Sequence, residues 1–273
     1  MTEHQTVISR PIAIIVTADD GGTGKTTFAT QIVAFAKLNN IQISLFQLDT
    51  KNKLELKTGL EVTSLGIANH RHTTDELIPA DIIGAWYSAA TAERAANTLL
   101  EVGGANAALF HAGITEYDLE EDIQSLDLDV RTFVMCKAGE DSARQTIREV
   151  ARLESNIPSA RIVIVRNEMH GCPKASAQHL ESGLRRPFLS LLEKYPNIQM
   201  PKVTLRSMSM YERLHVTPDV VIEWRRDGYL EAMKRTSLDR AKAKIFVKDI
   251  AVWTIKVFDD LAKVLPEWVD GNE

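Results

Sequence analysis

"PIAIIVTADDGGTGKTTFAT" runs from Pro11 to Thr30. Its first half, Pro11–Ala18, is a short apolar run rich in β-branched residues, which predicts a strand buried on both faces, as in a parallel sheet. Its last part, "KTTFAT", opens a pattern that continues to Asn40 with Phe28, Ile32, Phe35, Ala36 and Leu38 at helical spacing. Between strand and helix stands "GGTGKTT". Gly21, Gly22 and Gly24 allow a tight bend that turns backbone N–H groups toward one point. The helix N-terminus adds its positive end there. Lys25 is placed to neutralise phosphates, and the Thr26 hydroxyl to ligate Mg²⁺. Glycine cluster, GK[ST] triplet, preceding strand and following helix coincide, so the stretch predicts a nucleotide-binding loop formed by Gly21, Gly22, Thr23, Gly24, Lys25, Thr26 and Thr27.

Outward from this loop the chain alternates. Strands are expected at Ile41–Asp49, Val62–Ala68, Ala105–Gly113, Leu128–Gly139, Ala160–Gly171 and Asn197–Val203. Helices are expected at Ala80–Leu100, Ser142–Leu153 and Ala175–Tyr195. The β-α-β order predicts an α/β fold, a doubly wound, mostly parallel sheet flanked by helices. From Asp219 the pattern is helical. Ser237–Trp268 reads as one amphipathic helix, with Leu238, Ala241, Ile245, Ile250, Trp253, Val257, Leu261 and Val264 on one stripe and Pro266 as its stop. No linker composition appears, so residues 1–218 are expected to form the nucleotide-binding domain and 219–273 a C-terminal helical extension of that same domain.

Composition narrows the function. The 273 residues carry 32 basic and 37 acidic side chains, a net charge of −5, so polyanion binding would need a local basic patch. Cys136 and Cys172 lie in no metal-type or CxxC spacing, which suits a reducing cytoplasm. The first residues, "MTEHQTVISRP", lack the apolar core of a signal peptide, and no apolar run approaches the ~20 residues of a membrane span. A soluble, cytoplasmic protein is expected. No Ser-His-Asp set, glycosidase carboxylate pair or GxGxxG fingerprint is present. "HRH" at 70–72 offers two histidines without a third ligand and reads as a polar loop.

The loop departs from the ordinary GxxxxGK[ST], whose first glycine would fall at Asp19. "DGGTGKT", Asp20–Thr26, resembles instead the KGGxGK[ST] deviant Walker A loop of the ParA/MinD family of P-loop ATPases, with the family's first lysine replaced by Asp20. The resemblance continues in "QLDTKN", Gln47–Asn52, similar to the family's D-x-D-P-Q: Gln47 stands for the first Asp, and Asp49 keeps the second. It implies that Asp49 orients attacking water and, with Thr26, holds the metal, that Asp49 and Lys25 are the catalytic residues, that Asn167 in "RNEMHG" contacts adenine, and that His111 occupies the switch II position usually held by Asp. For His111 a satisfied structural histidine is the alternative reading. Asn167 lacks the [NT]KxD setting that reads guanine, so ATP with Mg²⁺ is the implied cofactor. The resemblance covers roughly Pro11–Met210 in element order and implies a homodimer when ATP-bound and a partner protein.

In that family the lysine at the Asp20 position reaches a partner subunit's phosphates. An aspartate there reverses the sign: two unit charges ~4 Å apart interact by ~4 kcal/mol at an effective dielectric of ~20. Asp20 is therefore expected to pair with a cation, for which Lys51 is the candidate, and turnover is expected to be slow or partner-stimulated. Arg185, Arg186, Lys234, Arg235, Arg240, Lys242, Lys244 and Lys248 offer a basic face for non-specific DNA, or a solvated one. Asp249, Asp259, Asp260 and Glu267 oppose an anionic membrane surface. Read this way, the chain is an ATP-binding dimer switch with weak turnover, serving DNA partition, positioning or conjugative transfer. The alternatives are a nucleotide-binding scaffold without useful hydrolysis and a small-molecule ligase of the same superfamily; for the ligase no substrate residues are evident.

Overall fold

The computed structural model describes residues 10–49, 51–65, 79–92 and 96–270. The "HRH" stretch and the end of the third expected strand lie outside them. Seven strands form one sheet: β1 (Ile12–Thr17), β2 (Ile43–Leu48), β3 (Val62–Ser64), β4 (Asn97–Val102), β5 (Asp129–Lys137), β6 (Arg161–Asn167) and β7 (Asn197–Met200). Their order is β3-β2-β4-β1-β5-β6-β7 and every pairing is parallel. The doubly wound α/β expectation holds.

β1 is buried along its whole length because it is central and covered on both faces. Ile12, Ile14 and Val16 point to one face, Ala13 and Ile15 to the other. The first face carries α1 (Lys25–Leu38) and α2 (Lys53–Thr58). It also carries the C-terminal helices α9 (Leu205–Arg213), α10 (Pro218–Glu223), α11 (Leu230–Thr236) and α12 (Arg240–Val264), the last followed by α13 (Glu267–Asp270). The second face carries α3 (Pro79–Thr91), α4 (Ala107–Glu116), α5 (Leu119–Ser125), α6 (Glu140–Asn156), α7 (Pro173–Ser176) and α8 (Ser182–Lys194).

Two expectations fail together. The helix predicted over Ala80–Leu100 ends at Thr91, and Asn97–Val102 is the strand β4 between β1 and β2. The predicted strand Ala105–Gly113 is instead a short 3-10 turn and α4. α4 buries Ala107, Phe110 and Ile114 and exposes Ala108 and Ala112, so apolar residues fall on both its faces, and a short apolar run does not distinguish a helix from a buried strand. His111 therefore lies within a helix and not at a strand end. The helix expected at Ala175–Tyr195 is broken: Leu180 is extended, and α8 restarts at Ser182.

α12 is capped by the Asp239 carboxylate, which accepts from Lys242 N, and stops before Pro266. Ile250, Trp253, Val257 and Leu261 are buried as expected. At its start, however, Ala243, Phe246 and Val247 face the core, while Ala241 and Ile245 face out. Far from the loop, Arg131 of β5 is almost fully buried. It is held by Asp129, donates to the Val264 carbonyl and meets Glu267 Oε1 at 2.7 Å. Among the described residues no helix is long and apolar enough to cross a membrane.

Candidate functional site

The loop leaves β1 at Thr17 and turns into α1 at Lys25, at the carboxyl edge of the sheet where doubly wound folds bind ligands. Gly22 (φ 67°) and Gly24 (φ 93°) adopt the left-handed conformation that favours glycine. Gly24 is the N-cap of α1 and supplies no side-chain cap, and no acidic residue sits in the first turn. The first amides of a 14-residue helix are thus left for an anion. A Cβ on Gly24 would fall 2.6 Å from Asn167 Nδ2, so that side chain would have to move aside for any other residue there.

Three other strand ends grip the loop. At the end of β6, Asn167 Nδ2 donates to the Thr23 carbonyl at 2.9 Å, and Asn167 Oδ1 accepts from Met169 N. At the end of β5, Lys137 Nζ lies 2.8 Å from Asp20 Oδ2. After β4, Gly104 packs so closely that a Cβ there would meet the Asp20 backbone at 2.6 Å. Lys137, not Lys51, is the partner of Asp20. The backbone carbonyl of Lys51 accepts the Gln47 amide at 2.8 Å. Asp19 is matched by Arg148 at 3.0 Å and Arg152 at 3.6 Å, both from α6. The two loop aspartates are therefore neutralised from within the chain.

Lys25 is 7% exposed, and its ammonium donates to the Asp20 carbonyl at 2.7 Å. Burial pushes its pKa below the ordinary lysine value, against the pull of Glu101, Asp49, Asp20 and Glu149. Thr26 Oγ1 donates to Glu101 Oε1 at 2.5 Å. Glu101 is the residue the sequence reading missed. It is 1% exposed, near the end of β4, and its Oε2 has no hydrogen-bond partner. Burial raises its pKa to about 7, and proximity to Thr26 and Lys25 only partly offsets this. "NTLLEVGG", a β-type run closed by two glycines, is the signal that marks it.

Asp49, half-buried just after β2, lies against the turn that follows β4. A Cβ on Gly103 would come 3.1 Å from its Cγ, and its charge acts on both Lys25 and Glu101. Lys25, Thr26, Asp49 and Glu101 thus gather around the mouth of the loop. A hydroxyl and two carboxylates, one of them with a buried oxygen lacking a donor, are the oxygen chemistry that suits Mg²⁺. Gly21 and Gly22 are exposed at the loop crest, Thr23 is buried beneath it, and Thr27 is half-buried in the first turn of α1.

His111 is elsewhere. Its Nε2 is 3.1 Å from Glu149 Oε2, its Nδ1 accepts from Asn156 at 3.3 Å, and Thr17 Oγ1 donates to Glu149 Oε1 at 2.6 Å. Burial works against charge on Glu149, but hydrogen bonds from His111 and Thr17 and the charge of Arg152 outweigh it and hold the carboxyl below the usual glutamate range. His111 is a structural partner of a buried carboxylate behind the loop, not a group at the mouth of the site. Of the residues of the possible basic face, Arg185 and Arg186 lie on α8 and the others on α11 and α12, where Arg235 pairs with Glu231 and Lys242 with Asp239.

No family model matches the chain, and none of the curated proteins is similar to it at a significant level. Among solved structures, the MinC:MinD cell division protein complex of Aquifex aeolicus is similar with a TM-score of 0.48 at 14% identity, over 87% of this chain and 93% of that one. The MinD cell division protein of Aquifex aeolicus is similar with a TM-score of 0.46 at 14% identity, over 87% and 94% of the two chains.

Proposed function

We propose that this chain is a ParA/MinD-like nucleotide switch: it binds Mg·ATP at Gly21–Thr27, pairs with a second copy when ATP is bound, and turns over slowly. The supporting observation is the convergence of uncapped α1 amides, buried Lys25 and the Thr26–Glu101 pair on one loop mouth. Loop and helix amides would take the phosphates, and Lys25 would exchange the Asp20 carbonyl for a phosphate oxygen. Thr26 Oγ1 and the free oxygen of Glu101 would hold the metal, with Asp49 facing them to orient water. Bound Mg²⁺ supplies charge neutralisation of the phosphates. Asn167, at the end of β6, would meet the base from its place beneath the loop.

The biological role in this reading is DNA-related: plasmid partition, positioning or conjugative transfer, with a partner protein reading the ATP-bound dimer and non-specific DNA as a further ligand. A scaffold that binds nucleotide without useful hydrolysis is the second reading, favoured by the buried amide of Gln47 where the resemblance expects a carboxylate. Equilibrium binding of Mg·ATP and Mg·ADP, with Lys25→Ala as control and mass measured in the same samples, tests the proposal. Lys25-dependent binding and ATP-specific dimerisation are expected. Binding indifferent to Lys25 would overturn it. Turnover measured with and without DNA separates switch from scaffold.

A further inference from the structure

Lys137 stands where no motif calls for a cation. It is the last residue of β5, the strand beside β1. Its ammonium meets the Asp20 carboxylate at 2.8 Å, while Lys25 Nζ reaches the carbonyl of the same residue at 2.7 Å. Two ammonium groups from separate elements therefore converge on one loop residue. Both are well anchored. Lys137 N donates to Ser142 Oγ at 3.0 Å, and Lys137 is in register with Asn167, which holds the loop at Thr23. On the other side Gly104 braces the Asp20 backbone.

The Asp20–Lys137 pair is about 30% exposed on both sides. A pair so placed contributes little to stability, yet its carboxylate belongs to the loop that leads into the uncapped α1 amides and its charge acts on the Lys25 ammonium. A polyphosphate bound to those amides and to Lys25 would bring several negative charges toward the Asp20 carboxylate, and like-charge repulsion would compete with the weak attraction of a part-exposed pair. The carboxylate is the group that gives way, and Lys137 is then left facing the phosphates.

We propose that Lys137 is a second phosphate-binding cation of this loop, supplied by the same subunit and parked on Asp20 until a triphosphate displaces that carboxylate. The inference rests on the nucleotide reading above. It makes Asp20 the counter-ion that holds Lys137 in place, and it removes the need for a partner subunit to deliver that charge.

The test is a set of equilibrium titrations with Mg·ATP and Mg·ADP on wild type, Lys25→Ala, Lys137→Gln, Asp20→Asn and the Asp20→Asn/Lys137→Gln double variant, with thermal melts of each. Lys137→Gln should lose about tenfold in ATP affinity and much less in ADP affinity, as expected for a charge-assisted contact to the outermost phosphate. Asp20→Asn should tighten ATP in the wild-type background and do nothing when Lys137 is already Gln. An unchanged ATP-to-ADP ratio in a well-folded Lys137→Gln protein would overturn the proposal, as would an equal Asp20→Asn effect in both backgrounds. If Lys137→Gln does not fold, Asp20→Asn decides alone: weaker ATP binding overturns the proposal. Wild type and Lys25→Ala binding alike, or not at all, would sink the nucleotide reading itself and this inference with it.

Discussion

The Thr26 hydroxyl and the Glu101 carboxylate, 75 residues apart in the chain, meet at 2.5 Å across the α1–β4 boundary. The second Glu101 oxygen has no partner. A buried carboxylate left half-satisfied beside a phosphate-type loop is the arrangement a divalent cation completes, and the following expectations turn largely on it.

Glu101→Gln keeps the shape and removes the charge. Its effect should be confined to metal-dependent binding: the gain in ATP affinity on adding Mg²⁺ should shrink by roughly 10- to 100-fold, while metal-free binding changes little. Calorimetric titration with and without Mg²⁺ measures this. An unchanged metal response would exclude Glu101 as a ligand.

Glu101 also sets a pH dependence. Burial holds its folded pKa at about 7, above the ordinary glutamate value of 4.5. The folded protein thus keeps a proton that the unfolded chain releases, and stability falls as pH rises from 4.5 to 7, by at most about 3 kcal/mol, then levels off. Urea denaturation of metal-free protein across pH 5–8 should show this slope, and Glu101→Gln should flatten it. Glu149, held below the usual range, acts only at lower pH. A slope that persists in Glu101→Gln assigns the effect to another group.

Gly104→Ala places a methyl 2.6 Å from the Asp20 backbone, where no flexible side chain can yield. The loop must shift, at a cost of about 1–3 kcal/mol, and phosphate affinity should fall with it. Gly183→Ala, which meets nothing within 4 Å, is the matched control. Equal melting temperatures for the two variants would show that the loop is not braced there.

His111→Ala removes the imidazole from Glu149 and leaves a buried carboxylate with Thr17 as its remaining hydrogen-bond donor. The expected loss is about 1–3 kcal/mol of stability, with nucleotide affinity per folded molecule nearly intact. Chemical denaturation and binding on the same preparation separate the two effects. A stable variant that cannot bind nucleotide would return His111 to the site.

Much of the fold was legible because its central strands are continuous apolar runs. β1, β5 and β6 stand out in this way, and the loop between β1 and α1 carries its own glycine signature. β4 and α4 were exchanged because both are short and apolar in composition, with alanines on the exposed face of α4, and periodicity distinguishes neither. That exchange hid Glu101 and promoted His111. Lys137 was invisible for another reason: parallel pairing sets β5 beside β1, although Lys137 follows Asp20 by 117 positions, and no local pattern encodes that neighbour. Asp49 and Asn167 could be located in the sequence, but the hold of Asn167 on Thr23 could not.

The buried guanidinium of Arg131 has an implication for biosynthesis. It sits in the strand next to the centre of the sheet, and its distant partners are the Val264 carbonyl and Glu267. During translation every strand of the sheet is synthesised before those partners, so until they follow Arg131 has only Asp129 of its own strand as a partner. Closure around Arg131 therefore waits on the last helices described, and the glycine-rich loop at the opposite edge of the sheet is complete in sequence long before the segment that supplies those partners.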